Sequence, residues 1–391
     1  MNGDAAGMHV FTDHVGRTKR RAIARIGAET GCDIVVGCSP EHFPWLCNGS
    51  MPSLTYIRSR PAFACVDASG GGFVVLFDGS ESLIRSQSWI EDFVGYREFQ
   101  DDPLDVLASE LRRRGFARAR IGIDLDFLPQ ASFALLERKL LDAVIVDSAP
   151  ALTRLRAVKE PMEVATIESA AKATHEAVLE GFGASRPGDT EHEIINRILS
   201  GCLARGARTI LFSTFASGER TTHTHNFAAE RLVAAEDMLR CDVGPRYRSW
   251  LGDLARTYSG GRPDQRQRDL YRAMIEVERE TIAAIRPGVT AESVYAACRR
   301  ASERLRVPFT YSHVGHSFGL ELHEPPMMRP GDRVVLQPGM VINIEPMLRD
   351  PAAGLLMHTE DLVEITENGA RVLTLGMAPD EIPCIGQACQ A

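Results

Sequence analysis

No run of about 20 apolar residues, the length a helix needs to cross a bilayer, occurs in this 391-residue sequence. No segment has the charged, apolar and small-residue order of a secretory leader either. The expected address is therefore cytoplasmic, with no membrane partner. Positive charge is also short: 44 Lys and Arg face 52 Asp and Glu, giving a net charge of −8 and a pI near 5.8. A surface for nucleic acid or anionic lipid calls for the opposite balance, so neither is expected as a partner. The nine cysteines (Cys32, Cys38, Cys47, Cys65, Cys202, Cys241, Cys298, Cys384, Cys389) show no paired spacing of the kind a disulfide framework would have. What remains, 44% hydrophobic and 25% charged residues, is ordinary for a globular chain with room for two or three domains.

Candidate chemistry lies in the second half. Met238–Val243 reads as a strand, Gly244–Arg248 as a turn and Ser249–Tyr258 as the return strand, so Asp242 and Asp253 can face each other. A second hairpin repeats the plan. Val341–Glu345 runs into a turn around Pro346 to Gly354, and Leu355–Val363 returns with Glu360. Between the pairs stands Gly315-His316-Ser317-Phe318-Gly319-Leu320-Glu321-Leu322-His323-Glu324-Pro325-Pro326. Four carboxylates turned into one apolar setting would have to take up protons unless cations sit among them. Metal ions are the natural counter-charge. Taken singly, an Asp or Glu in a strand is more often hydrogen-bonded structure than a ligand; the constellation reverses that expectation. Cys241, next to Asp242, should point to the opposite face and pack in the core.

A repeat supports the convergence. Arg186-Pro187-Gly188-Asp189-Thr190 returns as Arg286-Pro287-Gly288-Val289-Thr290, 100 residues later. In each half the order reads helix, Arg-Pro-Gly-x-Thr, helix, strands. Val164, Ile167, Ala171 and Val178 mark a helix over Pro161–Glu180, and Leu270, Met274, Val277 and Ile285 mark one over Asp264–Ile285. Thr190 with Glu193 forms a capping box, and Thr290 is the matching N-cap without the Glu. His175 and His223 are expected on the surface. Two such halves imply helices on one face of a sheet, with the ligands at its concave centre.

The first 150 residues alternate helices and strands. A helix over Arg17–Gly31 precedes strands at Asp33–Gly37, Pro61–Asp67, Phe73–Phe77, Ile121–Leu125 and Ala143–Val146, with helices around Asp105–Gly115 and Ser132–Leu141. Ser148-Ala149-Pro150 marks the expected boundary between domains 1–150 and 151–391.

Over roughly residues 151 to 375 the sequence resembles the pita-bread metallopeptidases, which include prolidase, aminopeptidase P, methionine aminopeptidase and creatinase. The resemblance implies an α/β N-terminal domain followed by an α+β pita-bread domain with an internal pseudo-twofold repeat. The family's ligand order Asp, Asp, His, Glu, Glu falls on Asp242, Asp253, His316, Glu345 and Glu360. His323 matches the family's second His, which hydrogen-bonds the substrate or intermediate, and Gly218 and His225 match its Gly and substrate-side His. His313 stands three places before His316, where the family commonly has a His four places before. It either reaches the cleft at a different angle or ends a strand.

The implied cofactors are two divalent metal ions, manganese first, with cobalt, iron or zinc as options that an oxygen-rich, single-imidazole set does not separate. The implied activity is hydrolysis of an N-terminal Xaa-Pro bond by a water shared between the metals. Glu345 would serve as general acid/base, with His225 and His323 holding the carbonyl and oxyanion. Two other functions stay open: a creatinase-like hydrolase or lyase of a small amide, and a non-catalytic peptide-binding module, against which the five retained ligands speak. Dipeptidases of the family tend to carry Arg just after Pro-Pro, where this chain has Met327 and Met328, so strict dipeptidase activity is in question. The Arg usual two residues before the last Glu ligand is His358. The expected partners are a small peptide or amide and a second copy of the chain. The homodimer, with Trp45–Arg60 reaching the partner's site, is testable by gel-filtration chromatography.

Overall fold

The computed structural model describes residues 22–28, 30–350 and 353–386. The chain divides into two compact units, Met1–Arg156 and Ala157–Ala391. Ser148-Ala149-Pro150 therefore does not end a unit: Ala149 opens a helix, α6 (Ala149–Ala157).

In the first unit, helix α1 covers residues 22–28, while 17–21 of the expected helix lie outside the described residues. Six strands form one sheet: β1 (Ile34–Gly37), β2 (Phe63–Asp67), β3 (Gly72–Phe77), β4 (Phe93–Tyr96), β5 (Arg120–Ile123) and β6 (Val144–Asp147), in the order β4-β3-β2-β1-β5-β6. β1/β5, β5/β6 and β3/β4 are parallel; β1/β2 and β2/β3 are antiparallel. β4 is absent from the sequence expectation because its four residues, Phe-Val-Gly-Tyr, are too short and too interrupted by Gly to give a period. The helices α2 (His42–Cys47), α3 (Glu81–Arg85), α4 (Pro103–Arg113) and α5 (Gln130–Lys139) complete this unit. α4 starts at a capping Asp102 whose side chain accepts from the Leu104 amide. Asp124, fully buried after β5, accepts from the Cys38 and Ser39 amides at 2.8 and 2.9 Å and pairs with His42 Nδ1 at 2.8 Å. These bonds satisfy its buried oxygens and tie α2 to β5.

The second unit is built twice over. α7 (Pro161–Gly183) and α8 (Glu191–Ala204) precede β7 (Thr209–Ser217), β8 (Met238–Tyr247), β9 (Trp250–Leu251) and β10 (Leu254–Ser259). α9 (Gln265–Ala283) and α10 (Ala291–Leu305) precede β11 (Gly315–Ser317), β12 (Glu324–Met327), β13 (Val341–Ile344), β14 (Met347–Asp350), β15 (Leu355–His358), β16 (Asp361–Thr366) and β17 (Gly369–Val372). The Arg-Pro-Gly-x-Thr turns superimpose in their bonding. Gly188 N donates to Val233 O at 2.8 Å and Val233 N to Asp189 O at 2.9 Å; Gly288 N donates to Leu336 O at 3.0 Å and Leu336 N to Val289 O at 2.8 Å. Both glycines hold the left-handed conformation, φ 96° and 87°, which a side chain would strain. Thr190 and Glu193 form the capping box, whereas Thr290 occupies the N-cap position without a side-chain bond.

The strands fall into a β10-β8-β7 sheet with β9 appended, a β12-β11-β13-β16-β17 sheet and a β14-β15 pair. The helices bury their apolar stripes on these. Val178, Ile194 and Ile198 meet Leu239, Cys241 and Val243, and Val277, Val294 and Cys298 meet Ile342 and Ile344. Cys241 thus packs in the core, opposite the Asp242 face. His175 departs from expectation: it is buried and accepts from the Leu375 amide through Nδ1 at 3.2 Å. Pro325 and Pro326 lie within β12.

Candidate metal centre

Each half delivers its first carboxylate from a strand and its second from a break in the returning strand. β8 runs on to Tyr247, taking in most of the expected turn, and the return is split into β9 and β10 with Gly252 and Asp253 between them. Asp242 pairs in register with Ala255, so Asp253, two residues before Ala255, shares its face. In the second half Glu345 follows the end of β13, and the expected turn contains β14. The return splits into β15 and β16, with Thr359 and Glu360 in the gap.

β10 anchors that gap. Glu360 N donates to Ala255 O at 3.2 Å, Thr257 Oγ1 donates to His358 O at 2.8 Å, and Arg256 donates to the Glu360 carbonyl through Nη1. Arg256 Nη2 also pairs with Asp361 Oδ1 at 2.7 Å, both groups nearly fully buried, and Glu278 stands by with Oε2 accepting from Thr359 Oγ1 at 3.1 Å. Burial first, then the Asp361 charge, pushes the Glu278 carboxyl far up, with Arg256 opposing.

Three of the expected ligands come together. One ligand atom from each of Asp253, His316 and Glu360 lies within 4.8 Å of the other two, and all three residues are 1–3% exposed. His316 Nδ1 bonds the Ser317 carbonyl at 3.0 Å, which fixes the proton there and leaves Nε2 as an acceptor, with the Asn343 amide nitrogen at 2.8 Å and Glu345 Oε1 at 3.6 Å. Glu345 Oε1 stands 3.6 Å from His316 Nε2 and 3.3 Å from His313 Nε2. His313 therefore does reach the cleft, against Glu345. His323, exposed, sets its ring 4.2 Å from that of His316, tilted by 48°. His225 is exposed in its loop, near enough for its charge to act on Asp242 and His323.

Two contributors were not legible as site residues. Asn343 is fully buried on β13, two residues before Glu345 and on the same face. Its Oδ1 accepts from the His316 amide at 3.0 Å, and its Nδ2 meets His316 Nε2 at 2.8 Å, Asp253 Oδ2 at 3.3 Å and Glu360 Oε1. A lone amide inside the apolar run Val-Ile-Asn-Ile was the available signal. Arg240, two residues before Asp242, is 1% exposed and donates through Nη2 to the His223 carbonyl at 3.1 Å and to that of Thr224, holding the loop that presents His225.

The donor set fits divalent metal. Among the described residues no Lys or Arg forms an ion pair with Asp242, Asp253, Glu345 or Glu360, and Glu345 Oε1 lacks a hydrogen-bond partner. Burial, then the charges of Asp242 and Glu345, push the Asp253 carboxyl well up; burial, then Asp253, Asp242 and Glu345, do the same to Glu360. Burial holds the His316 imidazole down at about 4, neutral and able to ligate. Burial also raises Glu345, but the His313, His358 and His316 imidazoles outweigh it and leave that carboxyl below the usual range. His313 is raised, first by its contact with Glu345.

A pH dependence follows. Carboxyls raised in the folded state keep protons that the unfolded chain has already lost, so stability of the metal-free protein declines as pH rises above the ordinary carboxylate range. Scanning fluorimetry of chelator-treated protein should show Tm falling between about pH 5 and about pH 8, and added Mn²⁺ raising it more at the upper end. A metal-free Tm that rises over that window would contradict the raised pKa values.

A duplicated α+β fold with buried carboxylates and imidazole at the junction of its halves defines a metallohydrolase of pita-bread architecture. The chain belongs to metallopeptidase family M24, whose profile matches residues 165–367. The creatinase/prolidase N-terminal domain profile matches residues 19–158. Similar curated proteins include the Xaa-Pro dipeptidase of Pyrococcus furiosus, 33% identical over 240 residues, 61% of this chain and 67% of that one. Another is the probable dipeptidase PepE of Mycobacterium tuberculosis, 33% identical over 287 residues, 72% of this chain and 74% of that one. Among solved structures, dipeptidase PepE from Mycobacterium ulcerans aligns with a TM-score of 0.80 at 26% identity, covering 98% of this chain and 100% of that one. The prolidase from Pyrococcus furiosus aligns with a TM-score of 0.78 at 24% identity, covering 91% and 100%.

Proposed function

We propose that this metallopeptidase hydrolyses the bond between an N-terminal residue and proline, with two divalent cations held by Asp242, Asp253, His316, Glu345 and Glu360. The observation that carries the proposal is the buried cluster of Asp253, His316 and Glu360, with Glu345 Oε1 3.6 Å from His316 Nε2. The names of the similar proteins, Xaa-Pro dipeptidase and prolidase, supply the substrate class. Oxygen-rich sites with imidazole suit manganese, cobalt, iron or zinc, which supply a Lewis acid for the scissile carbonyl and acidify water near neutral pH.

The chain's own residues do the rest. Glu345, with one oxygen lacking a hydrogen-bond partner, accepts the proton of the attacking water and returns it to the leaving proline nitrogen. His313, 3.3 Å from that carboxylate with a raised pKa, keeps a proton beside it and steadies its ionised form. His323, exposed beside the His316 ring, and His225, on the arginine-held loop, are placed to donate to the substrate carbonyl and its oxyanion.

A second substrate class, a small non-peptide amide, draws on one observation. Met328 is fully buried in the core and Arg329 is exposed, so the segment after Pro326 does not offer a guanidinium in the place dipeptidases of this kind tend to have one. A panel of Xaa-Pro dipeptides, Xaa-Pro-Yaa tripeptides and small N-acyl or guanidino acids, assayed with Mn²⁺-loaded protein, separates the two. Release of the N-terminal amino acid from proline peptides is expected, and its complete absence with metal bound would overturn the peptidase proposal.

A further inference from the structure

One buried side chain in the centre has no role in the five-ligand scheme. His358 ends β15, is 2% exposed, and among the described residues neither ring nitrogen has a hydrogen-bond partner. Nδ1 lies 3.9 Å from Asp242 Oδ2, and Nε2 lies 3.7 Å from Glu345 Oε2. Both distances exceed a hydrogen bond. An imidazole buried with both nitrogens idle loses its hydration for nothing in return. The ring is nevertheless held firmly in place, because the His358 backbone N and O both engage Thr257 Oγ1 at 2.8 Å. A nitrogen and an oxygen that share one cation at about 2.1 Å each stand roughly 3–4 Å apart. His358 meets that spacing twice, toward the two carboxylates that are not part of the Asp253, His316 and Glu360 trio.

We propose that His358 is a sixth metal-directed side chain: one ring nitrogen ligates a cation beside Asp242 or Glu345, and the other gives its N–H to the remaining carboxylate. This rests on the five-ligand reading above and extends it. A ligating imidazole whose second nitrogen bonds a carboxylate is the common pattern at protein metal sites. The centre then has a second N/O set, Asp242, His358 and Glu345, facing the first. Two imidazoles shift the preference from manganese, which suits oxygen donors, toward zinc, cobalt and iron.

The test counts imidazoles rather than turnover. Zinc K-edge X-ray absorption on chelated protein reloaded with Zn²⁺ should show one imidazole more per chain in the wild type than in His358→Ala. Calorimetric titration should show Zn²⁺ affinity falling about tenfold or more in the variant, within the range for losing a supporting metal contact, and Mn²⁺ affinity falling less. Equal imidazole counts, or equal losses for both metals, would overturn the proposal and leave His358 as a charge-balancing neighbour of the carboxylates. Should His358→Ala not fold, His358→Gln gives the same comparison. A protein with the extra imidazole that cleaves no proline peptide supports His358 while overturning the substrate; failure to bind zinc overturns both.

Discussion

Glu345→Gln is expected to lower kcat/KM for an Xaa-Pro substrate by about 10³-fold or more, because the amide keeps the shape but cannot take up a proton. The position of Glu345 makes the loss specific. It directly follows β13, whose pairing with β11 and β16 fixes the backbone, so the substitution leaves the strand register untouched. Its carboxylate is the point where His313, His316 and His358 meet, at 3.3, 3.6 and 3.7 Å, and these imidazoles hold it below the usual carboxylate range, ionised and able to accept. Part of the effect could come through weakened metal binding, so the measurement is steady-state kinetics at saturating metal, with metal content determined on the same sample. Activity within about tenfold of the wild type under those conditions would remove Glu345 from proton transfer.

Arg256→Met should destabilise the second unit by about 3–5 kcal/mol, the range for removing one partner of a buried ion pair. The guanidinium is 3% exposed and faces Asp361, which is fully buried. Glu278, also fully buried, belongs to the same group. Without Arg256 these carboxyls lose their buried cation, and the Glu360 carbonyl loses its donor. For a unit of this size that energy corresponds to a fall in Tm of about 10 °C, readable by calorimetry. A second consequence distinguishes this from simple unfolding: metal affinity should weaken in the folded fraction, because the break that presents Glu360 is anchored by this residue. A Tm within about 2 °C of the wild type would mean the pair contributes little.

Much of the second unit could be read from the sequence because its signals are repeated. The Arg-Pro-Gly-x-Thr turns, the helices before and after them and the two pairs of carboxylates each occur twice, and a coincidence in one half is checked by the other. Helix extents came within a few residues, since Val164, Ile167 and Val178 keep a strict helical period and all are buried. Strand limits were less legible. Pro245 looks like a turn residue, yet it pairs with Ile210 inside β8, where a shift of register between Ile210 and Phe212 accommodates it. The break at Glu360 has no composition of its own, because it is held by tertiary bonds from β10 and not by turn residues. His175 reads as exposed because it is a polar residue on an amphipathic helix, and only the neighbouring Leu375 amide explains its burial. Asn343 and Arg240 escaped notice for a related reason: a single polar residue in an apolar strand announces burial with a partner, but only the fold names the partner.

The central claim, hydrolysis that depends on cations held by these five side chains, is tested most directly by titrating metal back into chelated protein. Activity toward an Xaa-Pro peptide should vanish on chelation and return with added Mn²⁺ or Co²⁺, approaching its plateau near two equivalents per chain. Activity that survives complete metal removal, or a protein that binds no divalent metal at this centre, would contradict the account.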